Sequence, residues 1–284
     1  MTSALDRLRA RVEALGAPLC LGIDPHPDQL PAGLTHDARG VETFARGLLE
    51  AAAEHVAAVK LNAAFYEALG WEGWAVLERV RRDVPPEIVC IVDAKRGDVG
   101  PTAERYAEAL LGRLGADGVT LSPYLGEDAI EPFLAFPDRI AYVLARTSNP
   151  SAGRLQDLAV DGEPLHHRVA RWVAATWPGG RVGLVVGATA PDQLASLRDL
   201  VPGPPFLIPG VGAQGGDAEA AARHCHGAWG PGLASASRTI ASASSGDDWM
   251  PAASAAAERL RRSLADAVLH SMTTAARAAP HGGQ

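Results

Sequence analysis

The densest cluster of ionisable residues follows an apolar run: Ile88-Val89-Cys90-Ile91-Val92 leads directly into Asp93-Ala94-Lys95-Arg96-Gly97-Asp98, a D-x-K-x-x-D spacing. Residues two apart on a strand point the same way, so Asp93 and Lys95 share a face, and Gly97 lets the chain turn before Asp98. An ammonium held between carboxylates has its protonation tuned by them, which suits charge stabilisation and proton transfer. Most clusters of this kind are solvated turns. This one sits at the end of a strand, which in a barrel is the end that carries active sites.

Lys60 is a lone cation inside the apolar stretch Ala57-Ala58-Val59-Lys60-Leu61. Buried unpaired it would cost several kcal/mol, so it needs a carboxylate, and on a neighbouring strand Asp93 is within reach. Asp24 follows Leu21-Gly22-Ile23 and occupies the matching end of the first strand. Taken alone, Asp24 reads as a turn aspartate before Pro25.

A glycine-rich segment, Pro209-Gly210-Val211-Gly212-Ala213-Gln214-Gly215-Gly216, contains G-x-G-x-x-G. In a dinucleotide fold that motif follows the first strand, whereas here only one strand remains. A phosphate site in the loops after the last two strands of a barrel suits the position better: glycines expose backbone N–H groups, and Arg238 beyond the last strand supplies a charged fork. The loop Thr147-Ser148-Asn149-Pro150-Ser151-Ala152-Gly153 opens a connection of about fifteen residues, long enough to be a functional lid. His224-Cys225-His226 has no second ligand pair at metal-site spacing and reads as a helix end. No P-loop, G-x-S-x-G elbow or H-E-x-x-H is present.

The elements that must position these residues recur along the chain. Short runs rich in Val, Leu and Ile predict strands at 18–23, 57–61, 88–93, 118–121, 140–145, 182–186, 206–209 and 229–235, each followed by a turn and a stretch of helical periodicity. The residues just past them lie 23 to 41 apart, which suits eight successive βαβ units of about 30 residues. The expectation is a (β/α)8 TIM barrel as one domain over residues 1–284, with the barrel over about 18–270; an open doubly wound sheet is the competing architecture. A helix from about Ala4 to Leu15 precedes the first strand, and Thr273 to Gln284 is expected to fray.

Composition bounds the function. The chain is 47% hydrophobic and 21% charged with a formal net charge of −7, opposite to the basic footprint of a nucleic-acid binder. An anionic ligand therefore needs a local cationic pocket. Three cysteines, Cys20, Cys90 and Cys225, are an odd number without C-x-x-C spacing and are expected as buried thiols in a reducing compartment. Asp6, Arg7, Arg9, Arg11 and Glu13 leave no apolar stretch for a signal peptide, and no run is long enough to span a membrane. A cytoplasmic enzyme is expected.

Taken together, Asp93-Ala94-Lys95-Arg96-Gly97-Asp98 with Thr102, Lys60, the glycine-rich loop with Gln214, and Ser237-Arg238 resemble the orotidine 5'-phosphate decarboxylase family from about Leu19 to Ile240. The loop from Thr147 to Ala152 is similar to that of the longer bacterial branch, often called type 2. The resemblance implies a barrel homodimer that converts orotidine 5'-monophosphate to uridine 5'-monophosphate and CO2 in pyrimidine biosynthesis, with no cofactor, metal, nucleic acid or membrane. It implies that Lys95 protonates C6 of the pyrimidine and that Asp93 sits beside the departing carboxylate. Asp98 and Thr102 would reach in from the neighbouring subunit. Asp24 and Lys60 would serve the ribose hydroxyls and the charge network, Ser148 the pyrimidine amide, and Gln214 the bridge towards the phosphate. Pro209 and Gly212 would belong to the loop closing on substrate, and Arg238 would clamp the phosphate. Ala236 stands where many members have glycine.

Two other readings compete. A Mg2+-dependent sugar-phosphate decarboxylase or aldolase of the same superfamily also carries D-x-K-x-x-D, but those relatives resemble one another in having glutamate where this chain has Lys60. A catalytically silent barrel that binds nucleotide or phosphate is the other, and the presence of both Lys95 and Asp98 argues against it.

Overall fold

A computed structural model describes residues 2–189, 191–212 and 215–278, with side chains up to His270. Eight strands pair in parallel and in chain order: β1 Leu19–Ile23, β2 Ala58–Asn62, β3 Val89–Arg96, β4 Gly118–Leu121, β5 Ile140–Arg146, β6 Val182–Val186, β7 Phe206–Pro209 and β8 Leu233–Ala236. β8 returns to β1 with Leu19 opposite Ala234, closing the sheet. The fold is therefore a (β/α)8 barrel, and the open-sheet alternative is excluded by that last pairing.

Both faces of such a strand are buried, which is why its sequence is almost continuously apolar. Leu19, Leu21, Ile23, Val59, Leu61, Cys90 and Val92 pack outward into the layer shared with the helices. The alternate positions Cys20, Ala58, Val89, Ile91, Tyr142, Val185, Leu207 and Leu233 fill the barrel interior. Ala4 and Leu8 of the helix Ala4–Leu15 join this inner cluster and plug the N-terminal end. At that end the buried Asp117 carboxylate pairs with Arg7, Arg81 and Arg139 and accepts the Cys90 N–H. All three cysteines are buried free thiols.

The long connection after β5 has structure of its own: a short helix, Gly153–Gln156, is followed by a two-stranded antiparallel ribbon, Ala159–Val160 with Glu163–Pro164. Arg146 grips Asp157 through two bonds of 2.8 and 3.1 Å, which ties the connection to the end of β5. The last helix is Trp249–Ala278. Residues 279–284 lie outside the described part of the chain.

Candidate active site

Strand periodicity brings the charged residues together. On β2 the inward positions are Ala58, Lys60 and Asn62, and on β3 they are Val89, Ile91 and Asp93, with Asn62 opposite Asp93 in the ladder. Lys60 is 5% exposed. Its Nζ lies 3.0 Å from Asp93 Oδ2 and 3.6 Å from Asp24 Oδ1. Lys95 approaches the other oxygen of the same carboxylate, with Nζ 2.6 Å from Asp93 Oδ1. Asp93 is thus bracketed by two ammonium groups. Burial pushes the Asp93 carboxyl up, but Lys60 and Lys95 together hold it well below the usual carboxylate range. Burial likewise pushes the Lys60 ammonium down, and Asp24 and Asp93 outweigh it, leaving Lys60 above its ordinary value. Both partners therefore stay charged near neutrality.

The carboxylates are not equivalent. Asp24 Oδ1 is buried without a hydrogen-bond partner, because Lys60 stops beyond hydrogen-bond distance. That oxygen keeps an unfilled acceptor position. The Lys95 side chain is about half exposed and faces a cavity of about 580 Å3 at the C-terminal end of the barrel. This volume suits one small organic ligand.

Asp24, Lys60, Asp93, Lys95, Ser148, Pro209 and Arg238 all line that cavity. Gly210, Val211, Ser235 and Ser237 extend the wall towards Arg238. Arg238 is exposed, and among the described residues it has no carboxylate partner. An acidic chain thus presents Lys60, Lys95 and Arg238 to one cavity, which is the local cationic pocket an anionic ligand requires. Among the described residues no three His, Cys, Asp or Glu side chains converge as metal ligands.

Three expected residues stand apart. Asp98 accepts a 2.9 Å bond from the Val99 N–H, and neither it nor Thr102 lines the cavity of its own barrel. Gly212 does not line it either: its N–H is donated to Gly216 O at 3.1 Å within the loop. Its φ of +81° and the Thr239 side chain, 2.5 Å from where a Cβ would sit, still demand glycine there. Gln214 lies outside the described residues.

Several wall residues escaped the sequence reading. Asn62 and Phe65 follow β2, Thr120 belongs to β4, and Gln156 comes from the short helix after β5. The Gln156 amide accepts the Thr147 N–H at 2.8 Å and donates to Thr147 Oγ1 at 2.9 Å, holding the base of the loop that carries Ser148. Thr120 could have been suspected from its own strand: it is the one polar side chain in Gly-Val-Thr-Leu, and a buried hydroxyl needs a partner.

The model of the orotidine 5'-phosphate decarboxylase / HUMPS family matches residues 17–245 of this chain. The chain is similar to the orotidine 5'-phosphate decarboxylase of Roseiflexus castenholzii, with 48% identity over 251 residues, 87% of this chain and 91% of that protein. It is also similar to the orotidine 5'-phosphate decarboxylase of Verminephrobacter eiseniae, with 45% identity over 267 residues, 91% of this chain and 97% of that protein. Among solved structures, the OMP decarboxylase of Leishmania donovani superposes with a TM-score of 0.81 at 36% identity, covering 94% of this chain and 99% of that one.

Proposed function

The chain belongs to the orotidine 5'-phosphate decarboxylase family, and from that premise we propose how its own residues carry out the reaction, the conversion of orotidine 5'-monophosphate to uridine 5'-monophosphate and CO2. The bond from C6 to the carboxylate breaks and its electron pair stays on C6, in the plane of the ring, where the ring carbonyls cannot delocalise it. A fixed cation must stabilise that pair. At 4 Å two unit charges attract by about 4 kcal/mol at an effective dielectric of 20, so the Lys95 ammonium at the cavity wall is a strong lever. Lys95 then transfers a proton to C6, forming the C–H bond of the product.

The observation that carries this reading is the bracketing of Asp93 by two ammoniums, Lys60 at one oxygen and Lys95 at the other. It fixes Lys95 at the cavity without burying it. It also favours catalysis without a metal, because a divalent cation at Asp93 would sit against the positive charge of Lys60. Asp24, with an unfilled acceptor position, is assigned to the ribose hydroxyls, and Ser148 to the pyrimidine amide. Arg238 is assigned to the phosphate, with Pro209 and Gly212 of the glycine-rich loop assigned to substrate binding and Gln214 to the bridge towards the phosphate. Binding energy from that remote phosphate is then available for positioning at C6.

Asp98 and Thr102 are assigned to the site of a second subunit. Exposed apolar side chains, Val99, Tyr106, Tyr124 and Leu125, occur beside them in the sequence and on the adjoining β4 loop. A homodimer that covers this face would bury them and carry Asp98 towards the partner's cavity. No helix among the described residues is long and apolar enough to cross a membrane, and three unpaired buried thiols suit the reducing cytoplasm to which we assign the enzyme.

The test is an ultraviolet absorbance assay with orotidine 5'-monophosphate, run with and without EDTA. Turnover that survives exhaustive chelation is expected. Turnover that vanishes with EDTA and returns with Mg2+ would place the chain with the metal-dependent relatives, and no turnover at all would leave a binding protein.

A further inference from the structure

We propose that Thr120 is a positioning residue for the decarboxylation, its single hydroxyl holding the Asp93 carboxylate and the Lys95 backbone in their working geometry. The inference rests on the reading of Asp93 and Lys95 given above. It starts from an irregularity in the sheet: β3 and β4 are in register at Val92 and Val119, and again only at Arg96 and Leu121. Four steps along β3 face two along β4, and Asp93, Ala94 and Lys95 are the residues spanned. Lys95 itself has φ +48°, one of two described non-glycine residues with positive φ. A side chain in that region costs on the order of 1–3 kcal/mol and persists only where surrounding contacts hold it.

Thr120 is the β4 residue facing this irregularity, and it is 1% exposed. The Lys95 N–H, which finds no ladder carbonyl there, donates to Thr120 Oγ1 at 2.9 Å. Thr120 Oγ1 in turn donates to Asp93 Oδ1 at 2.8 Å, the same oxygen that receives the Lys95 ammonium. The direction of these bonds is forced. An ionised carboxylate only accepts, so the hydroxyl proton must point at Asp93, and a lone pair is left for the Lys95 amide. The β-branched side chain limits χ1, which keeps the oxygen between its two partners. One hydroxyl thus replaces a main-chain bond of the sheet and orients the carboxylate that aims the Lys95 ammonium. An isosteric side chain without oxygen would leave both partners in place and free to drift, and a misplacement of about 1 Å can cost about a hundredfold in rate.

The test compares Thr120→Val, which removes the hydroxyl at nearly constant shape, with Thr120→Ser, which retains it. Expected for Thr120→Val is a kcat lower by roughly ten- to a hundredfold, with KM and the affinity for uridine 5'-monophosphate within about threefold of wild type. Thr120→Ser should recover most of the turnover. Hydrogen exchange at the Lys95 amide supplies a readout independent of turnover: it should accelerate in Thr120→Val and stay slow in Thr120→Ser. Equal losses in kcat, product affinity and melting temperature would mean a merely structural hydroxyl and overturn the proposal, as would unchanged exchange at Lys95 in Thr120→Val. If Thr120→Val fails to fold, Thr120→Ser with wild-type exchange and turnover supports the proposal, and loss of either in that variant overturns it. An inactive wild-type protein would overturn the decarboxylase reading instead, and the exchange comparison would still decide whether Thr120 holds Lys95.

Discussion

Lys60 and Asp93 meet although they are not opposite each other: Lys60 is in register with Ile91 and Asp93 with Asn62, yet Lys60 Nζ lies 3.0 Å from Asp93 Oδ2. The lysine side chain climbs one layer of the barrel interior, from a floor of apolar residues to the level of the cavity. It thereby buries its methylenes and delivers its charge beneath Asp93, between the ends of β1 and β3.

Lys60→Met should test this arrangement directly. The methionine fills the same channel but leaves Asp93 with Lys95 as its remaining cation, so a stability loss of about 3 kcal/mol is expected in chemical denaturation. The pH dependence follows from the two shifts. Asp93 is depressed, so its share is complete above the ordinary carboxylate range and fades only as the pH falls through the lower folded value. Lys60 is raised, so its share is complete below the ordinary lysine value and is lost as the pH climbs through the higher folded one. The difference between wild type and Lys60→Met should therefore be level from about pH 5 to about pH 9. A steep change within that window would show that the pair is not ionised as described.

In the proposed mechanism, Lys95→Ala removes an ammonium that acts on charge present only in the transition state. Turnover should fall to background while the protein still folds and binds uridine 5'-monophosphate with little change, measured by calorimetry. Near-normal turnover would remove Lys95 from the mechanism.

Arg238→Ala should raise KM for the phosphorylated substrate by roughly ten- to a hundredfold, because a charge-assisted contact to phosphate contributes about 1.5–3 kcal/mol. Backbone N–H groups of the glycine-rich loop replace such a contact only in part, the Gly212 N–H being already committed to Gly216. An unchanged KM would place the phosphate elsewhere.

Asp98 makes the sharpest prediction about assembly, since it lies outside its own cavity wall. In the proposed homodimer, the Lys95→Ala and Asp98→Ala variants should each be nearly inactive. After subunit exchange, a mixed dimer has one site with both lesions and one with neither, so an equal mixture should recover about one quarter of wild-type activity. No recovery despite demonstrated exchange would mean that Asp98 serves its own chain's Lys95.

The sequence by itself determined the eight strands, their alternation with helices and the cluster around Lys95. Strands buried on both faces must be apolar throughout, so each polar interruption stands out: Lys60 within its run called for a carboxylate, and the D-x-K-x-x-D spacing named one. Spacing along the chain also carried the family resemblance of the glycine-rich loop and Arg238. Only the tertiary structure decided what depends on neighbouring strands. Barrel closure through Leu19 and Ala234, the slip in register between β3 and β4, and the left-handed backbone of Lys95 have no local signature. Thr120 was missed for the same reason: its role comes from facing that slip across the sheet, 25 residues along the chain from Lys95. For the connection after β5 the sequence offered only a length suited to a lid, because its order comes from the Arg146–Asp157 pair and the Gln156 amide on Thr147, side-chain contacts that no periodicity reports.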